Sequence, residues 1–100
     1  MSDLITEIRY SKAKLRNIIY YRLEVEPTEI ERFRCQYMHI LRKYRKDTIE
    51  LLSRIKSELK FMPDLGSDYE FLSQAVNMIS PKVKTEGCLE TIKNLSTLFI

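Results

Sequence analysis

A chain of 100 residues, 44% apolar and 31% charged with a formal charge of +3, has room for one domain, here residues 1–100. Leu, Ile, Phe and Tyr are too plentiful for a disordered tail, and no apolar run approaches the ~18 residues of a membrane span. Cys35 and Cys88, 53 positions apart and without a Cys-x-x-Cys pair, make neither a disulfide framework nor a zinc ribbon. No basic-then-apolar leader follows Met1, so the expectation is an intracellular protein of the cytoplasm, nucleus or nucleoid.

Two glycines and three prolines make the punctuation sparse: 25–27, 61–68 and 80–87 are the breaks. No segment alternates with a strand period, so the intervals read as four helices, about 3–24, 28–60, 68–80 and 88–99. In the first, Ser2 is the expected N-cap, and Leu4, Ile8, Leu15, Ile18 and Ile19 fall on one narrow stripe. Ser11 and Arg22 interrupt it. Arg22 reads as snorkelling past the end of the buried seam, or else as a buried partner for Glu26 or Asp47. Tyr10, Tyr20 and Tyr21 lie off the stripe and mark a second contact side.

Pro27 ends that helix, and Thr28 with Glu31 reads as a capping box for the next. Ile30, Phe33, Tyr37, Ile40, Leu41, Tyr44, Leu51, Leu52, Ile55, Leu59 and Met62 then occupy about a third of the circumference at 100° per residue. The aromatics of the basic stretch Arg32–Lys46 thus belong to the buried side, with Thr48 the one polar intruder. An unbroken helix over 29–60 would be about 48 Å long at ~1.5 Å per residue, whereas a compact globule of this length is only about 34 Å across. With no Gly or Pro inside it to cause a kink, the expectation is an elongated molecule whose second helix overhangs.

The third helix carries a second capping box, Ser67 with Glu70, and Pro81 forbids continuation. Its apolar residues surround most of it, so it should be covered on several sides. The fourth carries Leu89, Ile92, Leu95, Leu98 and Phe99. That ridge reads either as ordinary core or as a motif inserting into a partner's groove, anchored by Leu95, Leu98 and Phe99.

Charge is uneven. Residues 1–60 hold 14 basic and 9 acidic side chains, a balance of +5; residues 61–100 hold 3 and 5, a balance of −2. Arg9, Lys12 and Arg16 on the first helix, with Arg34, Arg42, Arg45 and Lys46 on the second, form the candidate nucleic-acid surface. The competing reading is a solvated face, since Arg42, Lys43 and Lys46 spray over a wide arc and no phosphate-cradling motif accompanies them. Glu50, Arg54 and Glu58 stand at i,i+4 spacing, as on any wet helix. Glu31, Cys35 and His39 form an i, i+4, i+8 column, too few ligands for a metal centre. One histidine and no nucleophile motif give no catalytic residue, no cofactor and no small-molecule substrate.

These readings converge on an all-α bundle: a long antiparallel pair with two short helices closing one end, self-associated or bound to a protein partner. The expected function is a non-catalytic assembly module acting through Tyr10, Tyr20, Tyr21, Leu95, Leu98 and Phe99. Nucleic-acid binding through the basic faces is the alternative.

Overall fold

A computed structural model describes residues 3–24, 34–79 and 88–99; the side chains of 22–24, 34–35 and 88–89 stand outside that description. Among these residues the chain is all-helical: α1 (Leu4–Glu24), α2 (Arg34–Glu58), α3 (Gly66–Met78) and α4 (Cys88–Ser96), with 3₁₀ turns at Pro63–Leu65 and Thr97–Phe99. The Thr28–Glu31 box, Ile30, Phe33, and the side chains of Arg22 and Leu89 lie outside the described residues, as does the expected cap Ser2.

Asp3 takes the role expected of Ser2. Its Oδ1 accepts the Ile5 amide at 3.3 Å and its carbonyl accepts the Glu7 amide at 3.0 Å. A carboxylate there satisfies orphan donors and sits at the positive end of the helix dipole.

The expected Ser67–Glu70 box does not form. The Glu58 carbonyl accepts the amides of Phe61 and Met62 at 3.0 and 2.9 Å, closing α2. Met62 then turns extended (φ −134°, ψ 73°), and Pro63 opens a 3₁₀ turn that runs directly into α3 at Gly66. Because the Gly66 amide already bonds to the Pro63 carbonyl, the preceding turn serves the helix start and Ser67 lies inside the first turn. At the other end α3 stops at Met78; Ile79 goes extended, with its amide on the Val76 carbonyl at 3.2 Å.

The core is two linked clusters. One gathers Leu15, Ile18 and Ile19 of α1, Tyr37, Met38, Leu41 and Tyr44 of α2, Ala75 and Ile79 at the end of α3, and Ile92 and Leu95 of α4. The other gathers Ile8, Leu51, Ile55, Leu65 and Leu72. The short helices therefore do not close one end. Helix α3 feeds Leu72 to one cluster and Ala75 to the other, so it runs along both, and Met38, outside the expected seam, is buried in the cluster that α2 shares with α1, α3 and α4. Ile40, Leu52, Leu59 and Met62 are only half-buried, at the edges of the seam.

The molecule measures 47 × 25 × 24 Å with a radius of gyration of 14.2 Å. Buried positions on α2 run from Tyr37 to Ile55. The described helix is therefore covered along its length, and no overhang stands clear of the bundle.

Candidate functional site

Three surfaces carry the residues singled out from the sequence. The first is one side of α1. Tyr10 and Tyr21 are 68% and 61% exposed, and with Ala13, Lys14, Asn17 and Ile18 they line a shallow depression of about 440 Å³. These positions follow i, i+3, i+4, i+7, i+8, i+11, so one helix face supplies them all. Tyr20, 44% exposed, is 100° away and belongs to the other flank, where its ring lies 6.3 Å from Phe99. The three tyrosines thus divide between two surfaces.

The second surface lies between α1, α3 and the C-terminal 3₁₀ turn. Arg9, Lys12 and Arg16 line a groove of about 460 Å³ with Phe71 and Phe99. The Lys12 ammonium pairs with Asp68 and stands 5.1 Å over the Phe71 ring; the Arg16 guanidinium stands 5.2 Å over Phe99. Phe71 and Phe99 meet edge to face at 5.4 Å. Each ring thus already has a cation of the same chain over one face, worth roughly 0.5–1 kcal/mol in an exposed setting. Of the α2 cations, Arg42 and Lys46 are exposed and Arg45 half-buried, and none of them lines this groove. The side chain of Arg34 lies outside the described residues. The six described cations therefore do not share one concave surface.

The third surface is the seam between α1 and α2, a groove of about 540 Å³. Its floor is Ser11, Tyr44, Thr48 and Leu51; its rim includes Glu7, Lys14, Asp47, Glu50 and Arg54. Arg54 pairs across the seam with Glu7 of α1. The expected Glu50–Arg54–Glu58 ladder thus gives way to a link between helices. With side chains half exposed, that pair contributes at most about 1 kcal/mol. The buried Tyr44 phenol donates to the Ser11 carbonyl at 3.2 Å and sits 3.1 Å from the Ser11 hydroxyl. Burial pushes its pKa above 10.0, although hydrogen bonds with Ser11 and Thr48 work the other way. Ser11 and Thr48, the polar intruders on the two seams, are thereby accounted for as companions of one phenol.

The remaining partner-binding candidates separate cleanly. Leu95 is fully buried in the first cluster and has no surface to offer, because α4 packs on α1 with that ridge inward. Leu98 and Phe99 are half-buried against the same cluster. Phe61, 80% exposed at the end of α2, was passed over in the sequence because an isolated aromatic in a turn carries no periodic signal. His39 is exposed, and among the described residues no three His, Cys, Asp or Glu side chains converge on one point. None of the described helices is long and apolar enough to cross a membrane. No family model, no curated protein and no solved structure matches the chain.

Proposed function

We propose that this chain is a non-catalytic helical assembly module whose contact surface is the exposed side of α1 centred on Tyr10 and Tyr21. The observation that carries this reading is the exposure of two large aromatic rings eleven residues apart on one helix face, with an alanine and an asparagine between them. Tyrosine offers a large rigid apolar body with a polar tip, which is why it concentrates in protein interfaces. Neither ring belongs to the two buried clusters that make up the core.

The test is a photo-crosslinking residue in place of Tyr10 or Tyr21, used in cells. Adducts with protein at both positions, and none from the exposed Lys43 on α2, are expected. Equal labelling at all three, or none at any, removes the reading.

A second reading, nucleic-acid binding, draws on the groove where Arg9, Lys12 and Arg16 meet Phe71 and Phe99, since cations beside aromatic rings suit single-stranded nucleic acid. It ranks lower because Asp68 neutralises Lys12 and each ring already carries a cation of the same chain on one face. It requires retention of an oligonucleotide at low salt that is lost in Arg9→Glu, Arg16→Glu; no retention by the unaltered chain eliminates it.

A further inference from the structure

We propose that the outer side of α2 is a docking strip for double-stranded DNA, held through its phosphates and without regard to base sequence. The strip is separate from the tyrosine face of α1 and from the groove between α1 and α3, and depends on neither. At 100° per residue, Arg42, Lys46, Ile49, Ser53 and Lys56 fall within about 80° of the helix circumference. All five are exposed. Lys60 continues the line in the turn where the Glu58 carbonyl closes the helix.

The strip carries cations and no carboxylate. Asp47 and Glu50 line the seam with α1 instead, and Glu58 falls on that side by the same count of turns. Glu50 stands four residues on from Lys46, yet Lys46, Lys56 and Lys60 enter no ion pair among the described residues. Arg42 and Lys46 are like charges at i,i+4, an arrangement that costs a helix stability. A polyanion supplies the countercharge that the chain withholds from this side.

The charges gather towards two ends, with Ile49 and Ser53 between them. Lys46 and Lys56 are ten residues apart, about 15 Å at ~1.5 Å per residue. The major groove of B-form DNA is about 12 Å wide. A helix bridging that groove sets Arg42 and Lys46 over one phosphate wall and Lys56 and Lys60 over the other, with the uncharged pair above the opening. Other anionic partners fit less well. The centre of a protein interface is apolar and depleted of charge, and here Ile49, 41% exposed, is the one apolar residue. Single strands are held by stacking rings and a membrane surface by inserting apolar side chains, and no aromatic stands on the strip.

The experiment follows the fluorescence anisotropy of a labelled duplex of about 20 base pairs and mixed sequence as the purified full chain is added. A dissociation constant on the order of micromolar is expected at about 50 mM salt, weakened roughly a hundredfold at about 200 mM, as about four phosphate contacts imply. Lys46→Glu with Lys56→Glu should cost about tenfold or more, and Lys46→Gln with Lys56→Gln should lower the salt slope by about two. Arg9→Glu with Arg16→Glu makes the same change of net charge on α1 and should cost no more than about threefold. No binding at the lower salt overturns the proposal. Equal losses in the two charge-reversed chains overturn it too, because net charge alone then explains the attraction, and a larger loss on α1 moves the contact to the groove there. A labelled single strand or a polyglutamate chain held as tightly as the duplex also overturns it. None of these outcomes bears on the assembly-module reading, which stands or falls by crosslinking to protein at Tyr10 and Tyr21.

Discussion

The Ser11 hydroxyl and the Tyr44 phenol lie 3.1 Å apart inside the α1–α2 seam, and the same phenol donates to the Ser11 carbonyl at 3.2 Å. A phenol carries one proton. With that proton on the carbonyl, the Ser11 hydroxyl donates in return, so the two groups satisfy each other in a site where tyrosine is only 2% exposed. The pair ties the first helix to the second at one register.

Tyr44→Phe should therefore destabilise the chain by about 1–3 kcal/mol, because it strands the buried Ser11 hydroxyl without enlarging the core. Ser11→Ala leaves the phenol its carbonyl partner and should cost less. The two together should cost less than the sum by about 0.5 kcal/mol or more. Urea unfolding of the four proteins in the cycle measures this, and strict additivity would show that the hydroxyls do not act as a pair.

Alkaline solution should loosen the fold through the same group. The Tyr44 pKa is raised in the folded state, so between the unfolded value of 10.0 and the folded value the native protein holds a proton that the unfolded chain has released. Stability is then full below pH 10 and falls as pH rises above it. Unfolding followed by circular dichroism from pH 8 to about pH 11.5 should show this decline, and Tyr44→Phe should flatten it. A variant with an unchanged slope would assign the decline to other groups.

Leu41→Ala and Leu95→Ala should each cost roughly 2–5 kcal/mol, since both side chains are fully buried in the first cluster and leave a cavity. Phe61→Ser, at a ring 80% exposed, should stay within about 0.5 kcal/mol. Denaturant midpoints for the three separate core from surface. A Leu95→Ala loss as small as that of Phe61→Ser would mean α4 does not dock as described.

Gly66→Ala should raise stability. The residue has helical angles (φ −58°, ψ −40°) and an added Cβ would meet nothing within 4 Å. Alanine there restricts the unfolded chain without straining the folded one, a gain of about 0.4–1 kcal/mol. For a domain of this length that corresponds to a melting temperature about 2–8 °C higher, readable by calorimetry. A lower melting temperature would imply that the junction needs glycine in a conformation other than the one described.

Much of the helix layout was legible because it depends on short-range spacing. Ile8, Leu15, Ile18 and Ile19 on α1, and Tyr37, Leu41, Tyr44, Leu51 and Ile55 on α2, are buried as their period of 3.6 implied. Arg42, Lys43 and Lys46 stand outside and Arg45 at the margin, as that phase required. Helix starts were less legible. Asp3 caps α1, and a 3₁₀ turn opened by Pro63 runs into α3 with no side-chain cap, because the first amides of a helix can be satisfied by a side-chain oxygen or by the carbonyls of a preceding turn.

What the chain settled by its own pattern is the class of fold and the inward face of each long helix, since apolar periodicity dictates which side must leave water. What it could not settle is which helices share that buried side. Met38 is in the core because α2 shares a cluster with three other helices, Leu95 is removed from the surface because α4 packs on α1, and Arg54 reaches Glu7 across the seam. Ser11 and Thr48 look like flaws in two separate stripes until the Tyr44 hydroxyl is set between them. Each of these depends on pairs more than 30 residues apart or on two elements meeting, and no local spacing encodes such a meeting.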